Sequence, residues 1–180
     1  MVNQMLILVG TSASGKTEVV KLLISKYGMK KLVTYTSRSM RIGEVNHVDY
    51  QFLSRDEFEK KIKEGFFLEH VEYNGNYYGT SFEGLDPDKV VILEPSGLKH
   101  YLKEAKELIK ICYINCSKEI RKERMIKRGD LEDSIKKRLV SDDVVFNEEL
   151  NNLVDWVIID IDYTLEELTE QVYNLYKKYM

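Results

Sequence analysis

The sequence predicts an α/β fold, a parallel β-sheet with helices on both faces. Three observations predict it. An apolar run, Met5 to Val9, leads into Gly10-Thr11-Ser12-Ala13-Ser14-Gly15-Lys16-Thr17, which reads G-x-x-x-x-G-K-[ST]; Val19, Val20, Leu23, Ile24 and Tyr27 then recur at helical spacing. Strand, glycine-rich turn and helix N-terminus in that order are the setting of a phosphate-binding loop, so the fold is expected to be the three-layer P-loop NTPase type. Further along, strand-like runs alternate with helical stripes, as a parallel sheet requires. The length of 180 residues suits one domain. Right-handed crossovers would set the loop at the carboxyl ends of the strands, where ligands bind in such sheets.

Gly28 follows the first helix as a C-terminal stop. Lys31 to Tyr35 then reads as a short strand with Leu32-Val33 at its centre. Hydroxyls and arginines crowd the next stretch: Thr34, Thr36, Ser37, Arg38, Ser39 and Arg41, followed by Gly43-Glu44. Ser54-Arg55-Asp56-Glu57 is a capping box, and the helix it starts carries Phe58 and Ile62 inward and ends near Gly65. Phe66-Phe67-Leu68 and Val71 read as a strand, Asn74-Gly75 as a hairpin turn, and Asn76 to Thr80 as the returning strand. Residues from about Thr36 to Glu83 therefore form a small β-rich insertion in the α/β core. The core resumes with a buried strand over Val90 to Leu93, a helical stripe of Leu98, Tyr101, Leu102, Ala105 and Leu108, and a strand over Ile111 to Ile114. Ser117 caps a helix reaching Arg128-Gly129, and Asp130 to Ser134 is a break. Ile135, Leu139, Phe146 and Leu150 predict a helix beyond it, and Trp156 to Ile159 a last strand. Thr164-Leu165-Glu166-Glu167, a second capping box, starts the final helix, with Leu165, Leu168, Val172, Leu175 and Tyr179 inward.

Composition narrows the function classes. Hydrophobic residues at 43% and charged residues at 32% match ordinary soluble enzymes. No apolar run approaches 18 residues and no basic-then-apolar leader opens the chain, so neither a membrane span nor a signal peptide is expected. A formal charge of −3 supplies no bulk attraction for nucleic acid. Cys112 and Cys116 have no second pair and no nearby histidine, and are expected as buried reduced thiols of a cytoplasmic protein rather than a metal site.

Several residue groups point to phosphate chemistry. The loop glycines permit a backbone whose successive N–H groups cradle a polyphosphate. Lys16 is expected on the β/γ-phosphates, and the Thr17 hydroxyl on Mg²⁺. Arg38 and Arg41, set among hydroxyls, suit a second phosphate, because guanidinium forks match its geometry. Tyr50 and Tyr78 add phenols there, and Tyr77 is expected to pack. Glu69 emerges from an apolar strand and needs a partner; the N–H donors on the Watson–Crick edge of guanine would provide one. Between Ser117 and Arg138 nine basic residues stand against five acidic ones, either a solvated helix face or a lid that closes over a polyphosphate.

The chain resembles the guanylate kinase family, whose members phosphorylate GMP with Mg·ATP. The matching stretches are GTSASGKT, the run from TSRSMRIGEVNHVDYQF to NGNYYGTS, and RMIKRGD followed by KKRL, in the right order over most of the chain. The resemblance implies a five-stranded parallel core (1–35, 84–124 and 144–180), a GMP-binding subdomain (36–83) and a helical lid (125–143). It implies guanine contacts at Thr34, Glu69 and Thr80, and GMP-phosphate contacts at Arg38, Arg41, Tyr50 and Tyr78. It implies ATP on the loop Gly10 to Thr17 with Arg124, Arg128 and Arg138, and Mg²⁺ on Thr17 with Glu94 acting through a bound water. Lys16 and the five arginines would then be the catalytic set, with GMP, dGMP and ATP as small-molecule partners of a monomer or homodimer. The chain departs from the family pattern at Ile92, Glu94 and Ser96, where an aspartate, a second aspartate and a glutamine are usual. It departs also at Thr11, Ala13 and Glu18 in the loop, and at Asp160, where an asparagine is usual; every phosphate-binding cation is kept. Three other readings stand beside this one: a kinase of another phosphorylated acceptor, a non-catalytic protein-binding module, and a GTPase, for which no N-K-x-D motif is found.

Overall fold

The structure is a computed structural model that describes residues 4–73, 75–93, 95–160 and 163–180. Asn74 of the expected hairpin turn and Glu94 of the expected metal contact lie outside those residues. The elements run β1 (Met5–Gly10), α1 (Lys16–Tyr27), β2 (Lys30–Lys31), β3 (Tyr35–Thr36), β4 (Gln51–Phe52), α2 (Arg55–Lys63), β5 (Phe67–Tyr73) and β6 (Asn76–Ser81). They continue with β7 (Lys89–Ile92), α3 (Pro95–Glu104), β8 (Ile109–Cys116), α4 (Lys118–Lys127), α5 (Glu132–Val145), α6 (Glu148–Asn151), β9 (Trp156–Asp160) and α7 (Leu165–Tyr176).

Two sheets result. The core sheet has the order β2-β7-β1-β8-β9 and is parallel throughout. The second has the order β4-β3-β6-β5, with β6 antiparallel to both its neighbours. Strand β1 is buried along its whole length, and its side chains alternate between two cores as strand geometry demands. Met5, Ile7 and Val9 pack with Leu98 and Tyr101 of α3. Leu6 and Leu8 pack with Val19 and Leu23 of α1 and with Leu168, Val172 and Tyr176 of α7. Helices therefore cover both faces, and the expected three-layer fold is found.

Local signals set several boundaries. Gly28 takes the left-handed conformation that closes α1 (φ 69°). Ser54 and Glu57 cap α2 reciprocally, and Thr164 and Glu167 do the same for α7. Because α7 brings three core side chains, its start matters: Thr164→Ala should lower stability by about 1 kcal/mol. A urea midpoint shift with an unchanged slope would register it.

Other expectations need correction. The single strand expected over Lys31 to Tyr35 is two short strands in different sheets, β2 and β3. Leu32 between them is buried and still bonds the core sheet, its N–H donating to the Val90 carbonyl at 2.9 Å. The chain leaves one sheet for the other within an apolar stretch that looks continuous. Ile24 and Leu108, counted in the two helical stripes, are exposed, and Leu108 lies beyond α3, which ends at Glu104. The expected break over Asp130 to Ser134 is shorter, since α5 starts at Glu132, and Phe146 ends that helix so that Leu150 belongs to the separate turn α6. Tyr179 lies beyond the end of α7 and packs partly buried on the core, while Tyr176, not singled out by the sequence, is the fully buried ring of the helix. Cys112 and Cys116 are free and buried, and burial pushes their thiols up, to about 12 and about 11. Among the described residues no helix is long and apolar enough to cross a membrane.

Candidate active site

The glycine-rich loop leaves the carboxyl end of β1, the central strand. A β-carbon on Gly10 would stand 2.6 Å from the Ile114 carbonyl oxygen and 2.8 Å from Ser14 Oγ, so only glycine fits. Gly15 turns with φ 91° into α1, and Ala13 also holds a positive φ of 60°. That pair of left-handed residues shapes a concavity of backbone N–H groups at a helix N-terminus, where the macrodipole favours an anion. The Lys16 ammonium folds onto the loop, donating to the carbonyls of Gly10 (2.6 Å) and Thr11 (2.8 Å). Thr17 is exposed beside it. Glu18, unusual at its position, pairs with Lys21 at 2.7 Å on the helix surface.

Two of the three expected donor-side arginines border this loop. A cavity of about 270 Å³ is lined by residues 13–18 together with Arg124 and Arg128. Arg124 Nη2 lies 2.8 Å from the fully buried carboxylate of Asp160, and its Nη1 reaches the Ala13 carbonyl at 3.4 Å. Arg128 pairs with Asp130, and Arg138 lies 3.6 Å from the same carboxylate. The hydrogen bond from Arg128 holds Asp130 below the usual carboxylate range. Arg138 lies outside the cavity's lining and joins this group through Asp130.

Of the expected acceptor-side residues, Glu69, Tyr78 and Thr80 stand on strands of the second sheet, Thr34 and Tyr50 flank its strands, and Arg38 and the exposed Arg41 lie in the segment between β3 and β4. Arg38 Nη2 pairs with Glu44 at 2.7 Å, and its guanidinium lies over the rings of Tyr50 and Phe52, 5.6 Å from each centroid. Tyr50 and Tyr78 meet edge to face, their centroids 6.3 Å apart. Glu44 also accepts the Arg41 N–H at 2.7 Å, and these contacts, Arg38 first, hold its carboxyl low. Glu69 accepts the Thr80 hydroxyl at 2.9 Å. A bulge between Phe67 and Glu69 shifts the register, so Phe67 faces Ser81 while Glu69 faces Thr80. Bulges re-aim side chains, and this one turns Glu69 onto its hydroxyl partner. Thr34 immediately precedes Tyr35, whose partner across the sheet is Gly79, the neighbour of Thr80. Tyr77 stacks on Phe58 and bonds Arg55, a packing role as expected.

The carboxylates that organise these cations were not foreseen. Glu44, Asp130 and Asp160 each hold an expected site arginine. Glu44 sits six residues from Arg38, a spacing that carries no secondary-structure signal, and Asp160 meets Arg124 only through the fold. Arg121, counted in the basic run, proves to be buried, so that run is not simply a solvated face.

Comparison with known proteins points one way. A family model described as guanylate kinase matches residues 2–178. A guanylate kinase of Clostridium perfringens is 39% identical over 132 residues, 69% of this chain and 61% of that protein's length. One of Clostridium tetani is 40% identical over 144 residues, covering 76% and 69% of the two chains. The crystal structure of guanylate kinase from Anaplasma phagocytophilum superposes with a TM-score of 0.65 at 25% identity, covering 98% of this chain and 86% of the other.

Proposed function

The chain belongs to the guanylate kinase family, and from that premise we propose that it is a nucleoside monophosphate kinase. It transfers the γ-phosphoryl group of Mg·ATP to GMP, and to dGMP with it, giving ADP and GDP in the cytoplasm. One observation supports the reading: two separate groups of residues suited to an anion stand in the structure, one at the loop and one at the second sheet. Lys16, Arg124 and Arg128 surround the loop; Arg38, Tyr50 and Tyr78 cluster on the second sheet beside the Glu69–Thr80 pair.

The chemistry follows from charge. The acceptor is already an anion, so no general base is needed, and the work is to bring two anions into line and neutralise the transferred group. Lys16, Arg124, Arg128 and Arg138 serve the donor phosphates, while Arg38, Arg41, Tyr50 and Tyr78 hold the acceptor phosphate. Each paired arginine is oriented by its carboxylate before the substrate arrives, and its remaining N–H donors are what it offers a phosphate. The exposed Thr17 hydroxyl, with phosphate oxygens and water, fits the oxygen-only donor set that Mg²⁺ takes. When bound, Mg²⁺ contributes neutralising charge on the β- and γ-oxygens. Thr34, Glu69 and Thr80 read guanine. Residues 36–83 form the acceptor-binding unit and 125–143 the lid, whose closure excludes water.

An acceptor panel tests this. With Mg·ATP and coupled detection of ADP, GMP and dGMP should turn over, and AMP, UMP and phosphoribosyl compounds should be at least about 10²-fold slower in kcat/KM. Equal rates with AMP would overturn the base assignment. Mg·ATP binding with no turnover of any acceptor would favour a non-catalytic binding module instead.

A further inference from the structure

Asp142, on α5, is one of few carboxylates in the interior, with 8% of its surface exposed. Its Oδ2 accepts the backbone N–H of Ser12 at 2.8 Å and Arg121 Nη1 at 2.7 Å, and its Oδ1 accepts the Ser12 hydroxyl at 3.2 Å. Arg121, on α4 and 4% exposed, donates its Nε to the Cys116 carbonyl at 3.1 Å. Burying such a pair is costly, and apolar residues of similar volume commonly stabilise a fold as well or better. Packing alone therefore leaves the double contact to Ser12 unexplained.

Ser12 precedes Ala13, a non-glycine residue held at positive φ, and Gly15. Strained backbone persists only where its neighbours over-determine it. Here Asp142 grips Ser12 by both backbone and side chain, while Ala13 packs on Met125 of α4 and on Ile135 and Leu139 of α5. The guanidinium of Arg121 cancels a negative charge that would otherwise repel a polyphosphate. Arg138 lies one helical turn before Asp142 on the same face of α5, so fixing Asp142 fixes where Arg138 emerges.

We infer that Asp142, neutralised by Arg121, is a positioning residue that couples the two helices after β8 to the shape of the phosphate loop, and so sets affinity for the nucleoside triphosphate. The inference rests on the loop being the donor site, as proposed above. Asp142 touches no substrate; it acts through Ser12.

The test is calorimetric binding of MgADP and, separately, of GMP to the full chain. The variants are Asp142→Asn and the apolar double substitution Arg121→Met with Asp142→Leu, with thermal unfolding measured alongside. The double variant should keep a melting temperature near that of the parent, yet bind MgADP roughly tenfold or more weaker, since small misplacements of a site group have large effects. Its GMP affinity should be unchanged, and Asp142→Asn, which keeps an acceptor for Ser12, should fall between. Unchanged MgADP affinity in the double variant overturns the inference, and so does an equal loss for MgADP and GMP, which would report general loosening. Failure of the parent chain itself to bind MgADP would remove the donor-site reading, and the inference with it.

Discussion

Replacing Lys16 with alanine is expected to lower phosphoryl transfer by on the order of 10³-fold while leaving the fold intact. The expected loss is large because, on the proposed function, closure screens this ammonium from water, and there a fixed charge aimed at a developing anion is worth several kcal/mol. The fold should survive for local reasons. Lys16 opens α1, where alanine is the best helix former and where removing a positive charge relieves the macrodipole. Lys16 itself lines the open cavity, so water entering the space its side chain leaves can donate to the two carbonyls it served, those of Gly10 and Thr11. Steady-state kinetics at saturating Mg·ATP and GMP, with thermal unfolding as a control, check both halves. A variant within tenfold of the parent's kcat would remove Lys16 from the chemistry. Lys16→Arg should rescue little, because a planar fork does not fit the pocket that a point charge fills beneath the loop.

The shape of this loop was legible because its signal is contiguous. Eight neighbouring residues encode the turn, and the flanking apolar patterns announce the strand and helix. The capping boxes at Ser54 and Thr164 were legible for the same reason, each being a four-residue pattern whose partners are three apart. What escaped the sequence was pairing across the fold. Ser12 and Asp142 are 130 residues apart, and no periodicity links them. Arg121 and Arg124 belong to one helix and one basic run, yet the first is buried against a carboxylate and the second lines the cavity at the glycine-rich loop. Residue type and spacing are alike for both; only the packing of α4 against its neighbours separates them. The strand expected over Lys31 to Tyr35 failed for a related reason: hydrophobic alternation shows that a stretch is extended, not which sheet it joins.

Glu69→Gln is expected to cost about 10²- to 10³-fold in kcat/KM for GMP with little change in MgADP affinity. The bulge at Phe67–Glu69 brings the carboxylate to the Thr80 hydroxyl, which leaves its other oxygen for a ligand. Guanine presents N1–H and N2–H₂ together, two donors that a carboxylate can accept at once. Glutamine keeps the oxygen that receives the Thr80 hydroxyl but sets an NH₂ against guanine's own donors, so the loss combines a missing hydrogen bond with a donor–donor clash. The same amide offers a hydrogen to the bare N1 of adenine, so the ratio of GMP to AMP turnover should fall by more than the GMP rate alone explains. Retention of the Thr80 bond predicts an unchanged melting temperature, which separates a base-reading role from a structural one. A Glu69→Gln enzyme within threefold of the parent on GMP would show that the base is read elsewhere. If the variant instead lost MgADP and GMP binding together, the second sheet and the loop would be coupled through α3, where Leu98 and Tyr101 pack in one core with Leu68 of β5 and with Ile7 and Val9 of β1.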